Sequence, residues 1–470
     1  NTQRKPRAMR RRRGSFLASP AVFVAWLVVL SKKQPSLVSE AFATTTTSVA
    51  LSKRLAQRVR DARDPSALRQ LLREHATDIN VFVVSAAMAQ YQKLGKPQEA
   101  LSLFERTQAT ISHNEFTFSA AISASGKLKD WRRAVDLLRS MDDAGIAPNE
   151  VAYGAAIAAC ETQWAKAMEL FRDMKRRGVE PSVVAYNSLI ASCWKSGQPQ
   201  AAVDLFDDLR QQEGLEPDMR TYKATIAACG RAASSSSSAP FFRQKALDLF
   251  DEVRRRRPEI GPPDIFLYTT MISICGDARQ YDRACAIFEE LRNDVEPNVV
   301  AYNAMISACE KALHFDAALK LFDELLKGPL EANVVTYTTM ISVCGKTGDW
   351  ERALSLFDDL CRRGLEPDLR TYNGLMTACR KGGQWETVLK LFDELQQRRD
   401  LHPDLVTYNG LISACDKGGR REKALGYFTE LRQRGLKPDI VTYTATIAAC
   451  GKGGQWEKAL DLFDELRREG

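Results

Sequence analysis

Apolar residues in this chain recur in two alternating helical patterns that together repeat with a period near 35 residues. In 334–368, VVTYTTMISVCGKTGDWERALSLFDDLCRRGLEPD, the first pattern is Tyr337, Ile341 and Cys344. Steps of four and three place these residues on one helix face. A glycine-containing turn at 345–348 breaks the pattern, and Trp350 opens the next one. The second pattern is Ala353, Leu354, Phe357 and Leu360; Gly364 and Pro367 then supply a C-cap and a stop. Segments 299–333 and 369–404 repeat the arrangement. A fixed period of this length means stacked supersecondary units and no single globular core. The expected fold is all-α: an α-solenoid superhelix of helix-turn-helix repeats of about 35 residues. Its long concave face suits an extended, segmented ligand.

The units begin at Asn80, Glu115, Glu150, Val183, Met219, Ile265, Val299, Val334, Leu369, Leu405 and Ile440. Ten are complete and the eleventh stops at Gly470, so the array is read as 80–470. The Met219 unit is longer, and its serine run at 234–238 with the following APFF is expected to loop out between its two helices. Residues 51–79 read as helices at 51–64 and 65–76, with Leu68, Leu71 and Leu72 at helical spacing; they form an N-terminal helical cap or a degenerate first unit. Residues 1–50 read as a targeting leader, disordered or removed. Met9 offers a start, followed by arginines at 10–13 and an apolar run at 16–30, the shape of a signal peptide. Ser39 and Ala41 offer cleavage before Phe42, and the hydroxyl-rich basic stretch beyond resembles a transit peptide. A two-part leader points to a complex plastid ahead of a mitochondrion; a signal anchor or a mitochondrial leader is the alternative. With the leader removed, no stable membrane association is expected.

Charge adds little. The net charge is +8, from 67 basic and 59 acidic residues, and much of the excess lies in the N-terminal tail while the repeats are close to neutral. Among 11 cysteines, Cys160, Cys193, Cys229, Cys275, Cys309, Cys344, Cys379, Cys415 and Cys450 each occupy the eleventh place of a unit, which reads as a stack of buried core thiols. There is no CxxC and the four histidines are scattered, so no metal site is expected. No P-loop, GxSxG or deaminase signature occurs, and no catalytic residue or cofactor is expected. The Asp358–Asp359 and Asp393–Glu394 pairs read as solvated faces, as does most of the arginine run at 254–257. The tryptophans that open second helices, such as Trp350 and Trp385, are expected to pack between units.

The tetratricopeptide pattern W-x2-L-G-x2-Y is missing. The units instead read V-[TA]-Y-[NT]…C-x-K-x-G…A-L-x-L-F-[DE]-[DE]-L…G-[LV]-x-P-[DN]. This closely resembles the pentatricopeptide repeat family, P-type, over 80–470. The resemblance implies sequence-specific binding of single-stranded RNA, one base per repeat, in organellar RNA processing, stabilisation or translation. It implies other RNA-processing proteins as partners and a monomeric chain. A protein-binding helical scaffold is an alternative, as is the RNA-binding part of a nuclease whose catalytic domain lies beyond Gly470.

Two positions per unit are candidate base readers. The fifth residue is Asn, Ser or Thr in eight of eleven units, a choice that helix propensity does not explain. The last residue is Asp, Asn or Ser, which capping of the next helix also explains. By the family's pairing, Asn187 with Asp218, Asn373 with Asp404, and Asn409 with Asp439 resemble uridine readers. Asn303 with Asn333 resembles a cytidine reader, Thr338 with Asp368 a guanosine reader, and Ser119 with Asn149 and Thr269 with Asn298 adenosine readers. Thr444 is a reader without its partner, while Val84, Gly154 and Lys223 depart from the usual pairs. The implied target is 5′-N-A-N-U-N-A-C-G-U-U-3′. The second residue flanks the base: Val184, Val300, Val335, Val406 and Val441, with Arg220 and Arg370 as departures that can still stack. The thirteenth is basic in eight units, and Lys195, Lys311, Lys346, Lys381, Lys417 and Lys452 are candidate phosphate contacts beside the default of a solvated helix-end charge.

Overall fold

The structure, a computed structural model, describes residues 51–233, 238–398, 400–452 and 454–469, without the side chains of Lys452 and Glu469. The expected leader at 1–50 and the serines at 234–237 lie outside these residues. Every regular element among the described residues is helical. The described residues divide into two compact units, one ending at 192 and one starting at 193, and within each the helix pairs stack in sequence order as a solenoid.

Local chemistry sets many of the helix boundaries. Asn333 opens the helix Val334–Thr347 with a reciprocal box: its side chain accepts from the Thr336 N–H, and the Thr336 hydroxyl accepts from the Asn333 N–H. The same box opens Glu115–Lys127, Leu369–Lys381 and Leu405–Lys417. Left-handed Gly348 (φ +82°) ends the first helix, a conformation that glycine adopts without a Cβ clash. Asp349 then caps Trp350–Arg362 by accepting from the Arg352 N–H.

The core has one repeating joint. Tyr337, Ile341 and Cys344 from the first helix and Ala353, Phe357 and Leu360 from the second are all buried. In most repeats the phenylalanine of the second helix meets the tyrosine of the next first helix edge-on, as in Phe322–Tyr337, Phe357–Tyr372 and Phe392–Tyr408, with centroids 5.3–5.6 Å apart. Phe171–Tyr186 is the same joint in the N-terminal compact unit. The eleventh-place cysteines are buried and free, and burial pushes the Cys344, Cys379 and Cys415 thiols up to about 11. Trp350 lies over Gly382 and Trp385 over Gly418, so these tryptophans pack between repeats as expected.

Four expectations are corrected. The acid pairs are not wholly solvated: Asp359 accepts from the Tyr337 hydroxyl, and Glu394 and Glu430 accept from Tyr372 and Tyr408 at 2.8 Å. A buried phenol needs a partner for its O–H, and the second helix of the same repeat supplies it. The arginine run is largely paired: Arg254 with Glu290, Arg256 with Glu216 and Glu259, and Arg257 with Asp294. Ala239, Pro240, Phe241 and Phe242 do not loop out but form the first turn of Ala239–Arg255, where proline suits the helix start and Phe242 is buried. The N-terminal pair is shorter than expected, at 51–61 and Pro65–Glu74. It buries Leu55, Val59 and Leu68, and Gln90 donates to the Ala62 carbonyl at 2.6 Å.

The tyrosine joint gives the fold a pH limit. Burial, then the Asp359 carboxylate, pushes the Tyr337 phenol up to about 12; Tyr372 and Tyr408 are raised by burial and by their glutamates. A phenol raised on folding leaves stability intact below its unfolded value of about 10, and that stability is lost as pH climbs through the folded value. Phenolate absorbance and loss of helical circular dichroism should therefore rise together above about pH 10. Complete phenolate titration with the helices still intact would contradict this.

Candidate nucleic-acid interface

Within 193–470, first helices of successive repeats lie side by side, and their second, fifth and thirteenth residues share a surface. They line a groove of about 1150 Å³ spanning 300–406. Its walls include the reader candidates Asn303, Asn333, Thr338, Asp368, Asn373 and Asp404. The flanking candidates Val300, Val335, Arg370 and Val406 and the lysines Lys311, Lys346 and Lys381 line it too.

The two reader positions touch. The Asn373 Nδ2 donates to Asp404 Oδ1 at 3.2 Å, Asn409 to Asp439 at 3.1 Å, and Asn303 to Asn333 at 3.3 Å. Capping and pairing are compatible. Asp404 Oδ1 also accepts from the Thr407 N–H and hydroxyl, each at 2.8 Å, so the cap fixes the carboxylate that the asparagine addresses. Thr407 is shared between these hydrogen bonds and one to Asn373 Oδ1, also at 2.8 Å, and Thr442 contacts Asn409 Oδ1 in the same way. The Asn373 and Asn409 amides are thereby oriented, each with its oxygen engaged and one N–H left over, whereas the Asn303 oxygen has no hydrogen bond among the described residues. Burial opposes ionisation of Asp439, but hydrogen bonds from Thr442 and Asn409 outweigh it and hold the carboxyl below its usual range.

Other pairs are arranged differently. The Thr338 hydroxyl bonds to the Thr371 hydroxyl at 2.7 Å while Asp368 caps Thr371. The Thr269 hydroxyl turns back to the Phe266 carbonyl at 2.9 Å, and Asn298 caps Ala301. Ser119 is buried with no partner for its hydroxyl among the described residues; Asn149 caps Ala152 and reaches Glu115 at 3.4 Å. Thr444 bonds back to the Ile440 carbonyl. Val84 is fully buried, which removes it from any surface. Asn187 lies in the N-terminal compact unit, whereas Asp218 caps Thr221 in the C-terminal one.

The flanking valines are exposed: Val184 is 66% accessible, and Val300, Val335, Val406 and Val441 are 58–59% accessible. Sequence reasoning missed three residues at the same second position, Phe116, Val151 and Phe266, which are also exposed. Their signal was the register itself, since an apolar side chain recurs where the helix turns away from the core. The lysines have structural partners as well. Lys381 donates to the Lys346 carbonyl at 3.0 Å and Lys417 to the Arg380 carbonyl at 3.1 Å, each reaching back to the C-terminus of the preceding first helix. Lys311 pairs with Asp277 at 2.6 Å. Lys195 and Lys346 are at the same position of their repeats, and the Lys452 side chain lies outside the described residues.

Family models decide the lineage. The PPR repeat family matches 158–193, 181–231, 297–346, 332–381, 371–417 and 403–452; the pentatricopeptide repeat domain matches 248–312, and the PPR repeat matches 116–146 and 441–470. The chain belongs to the pentatricopeptide repeat family. A chloroplastic pentatricopeptide repeat-containing protein of Arabidopsis thaliana is 34% identical over 83 residues, covering 18% of this chain and 10% of that protein. A mitochondrial one from the same plant is 29% identical over 93 residues, covering 20% and 13%. The matched stretches are thus about a tenth of those relatives' length. Among solved structures, the maize pentatricopeptide repeat protein PPR10 in complex with an 18-nucleotide RNA element superposes with a TM-score of 0.64 at 22% identity, over 96% of this chain and 64% of that one. That likeness concerns the fold. Among the described residues of this pentatricopeptide array, no group of histidine, cysteine or acidic side chains could hold a metal, and no helix is long and apolar enough to cross a membrane.

Proposed function

We propose that this array binds single-stranded RNA sequence-specifically, one base per repeat, as a P-type pentatricopeptide protein. The observation that carries the reading is the contact between a fifth-place asparagine and the last residue of its repeat, made three times along a surface of exposed valines. Each asparagine presents one spare N–H, a donor suited to the carbonyl oxygens of a pyrimidine. The neutral Asn333 in place of an aspartate distinguishes the cytidine step from the uridine steps. The valines would sandwich successive bases, while the thirteenth-place lysines, already at the groove wall, would meet phosphates. The target is 5′-N-A-N-U-N-A-C-G-U-U-3′, bound by a monomer.

The role is occupation of an organellar transcript, in processing, stabilisation or translation, without chemistry by this chain. Residues 1–50 would direct it to a plastid, 51–79 would cap the array, and other RNA-processing proteins would join it on the transcript. Gel shifts of the full chain with the ten-nucleotide RNA and a scrambled control test the reading. The proposed RNA should bind at least about tenfold tighter, the discrimination of one or two good base contacts. Equal, weak binding of both would favour a protein-binding scaffold.

A further inference from the structure

We infer that the Met219 repeat grips the RNA by its backbone and reads no base, splitting the address into two read segments; this rests on the RNA-binding reading above. In this repeat the reader pair is already satisfied. Lys223 Nζ, at the fifth place, forms an ion pair with Asp264 Oδ2 at 2.7 Å. Asp264 Oδ1 meanwhile accepts from the Leu267 N–H at 3.0 Å to cap the next helix. Both carboxylate oxygens are engaged. In the Leu369 repeat, by contrast, the cap and Asn373 share Asp404 Oδ1, and Oδ2 carries no hydrogen bond among the described residues. A base entering the Met219 step would have to break a charged pair to find an acceptor, and Lys223 offers no acceptor of its own.

The stacking surface at this step is also occupied. The Trp194 ring, from the repeat before, meets Phe266, the second residue of the repeat after, edge-on with centroids 6.0 Å apart. This aromatic pair reaches past the intervening Met219 repeat. The helix end that carries Trp194 is tied to the Met219 repeat: the Arg231 guanidinium donates to the Trp194 carbonyl at 2.9 Å and the Lys195 carbonyl at 3.1 Å. Phe266 is one of the exposed second-place residues that would otherwise flank a base. Arg220, the second residue of this repeat, is exposed, three residues before Lys223 and in no ion pair among the described residues. A guanidinium beside a closed reader pair suits a phosphate.

The test uses the full chain and the ten-nucleotide RNA, with an abasic site at the fifth nucleotide, facing the Met219 repeat, or at the ninth, facing the Leu369 repeat. The fifth-position lesion should leave affinity within about twofold, and all four bases there should bind alike. The ninth-position lesion should weaken binding about tenfold or more, since stacking and edge contacts are lost together. Arg220→Ala should weaken all these RNAs evenly and reduce the slope of log K against log salt by about 0.7. The double variant Lys223→Asn with Trp194→Ala recreates the asparagine–aspartate pair and opens the step, so a uridine preference of roughly tenfold should appear at the fifth position. Equal cost at both lesions, or a base preference at the fifth nucleotide of the unaltered chain, overturns the inference while leaving one-base reading intact. If neither lesion matters, one-base reading itself fails and this inference falls with it.

Discussion

Asn373→Thr is expected to turn the ninth step of the RNA from uridine towards guanosine. The surroundings are already matched: the next helix has threonine at its third place in both repeats, Thr371 and Thr407, and aspartate before it in both, Asp368 and Asp404. In the native repeat the amide is clamped between Asp404 and Thr407, which leaves an N–H facing outward. A threonine there would instead meet Thr407 hydroxyl to hydroxyl, as Thr338 meets Thr371. The donor aimed at a pyrimidine carbonyl is then gone, and Asp404 is released from the asparagine. One good base contact is worth about 1–3 kcal/mol of discrimination, so the uridine-to-guanosine affinity ratio should change by about tenfold or more in competition gel shifts. Because the site is half-buried and its partners stay in place, helical content and melting temperature should barely move. An unchanged base preference would remove the pairing assignment.

Gly276→Ala should cost about 1–3 kcal/mol of stability through overpacking. A Cβ on Gly276 would come within 2.8 Å of the Ala308 Cα in the neighbouring first helix. A backbone atom cannot turn away as a side-chain tip can, so the helices Ile265–Asp277 and Val299–Ala312 would have to separate. Gly410→Ala is the control: a Cβ there meets nothing within 4 Å in the helix Leu405–Lys417. It should stabilise by roughly 0.5–1 kcal/mol through helix propensity. Urea unfolding of the two variants should show midpoint shifts of opposite sign. Because a solenoid couples only neighbouring repeats, the Gly276 variant should also show an early, partial loss of helix.

Much of the interface was legible because a repeat samples the same environment many times. Polar residues at the fifth place stood out against the helix propensities around them, and the structure places Asn303, Asn373 and Asn409 against their partners. Thr407 and Thr442 were not legible as parts of the site. A threonine at the third helical place reads as a capping residue, and only the approach of the preceding repeat shows that its hydroxyl also orients an asparagine. The aromatic second-place residues were missed because single exposed phenylalanines carry no signal until register and exposure are combined.

The period, the helix pairs, the buried cysteine column and the caps follow from the sequence by itself, because they depend on contacts within a few residues or on one spacing repeated along the chain. The tertiary structure alone decided which side chains share hydrogen bonds across repeats. Thr407 with Asn373, Thr442 with Asn409, and Thr338 with Thr371 lie 34, 33 and 33 positions apart in numbering, and no local pattern links them. Such pairs form only when stacking has already brought their helices together, so their energetics belong to the packed array and not to any one repeat.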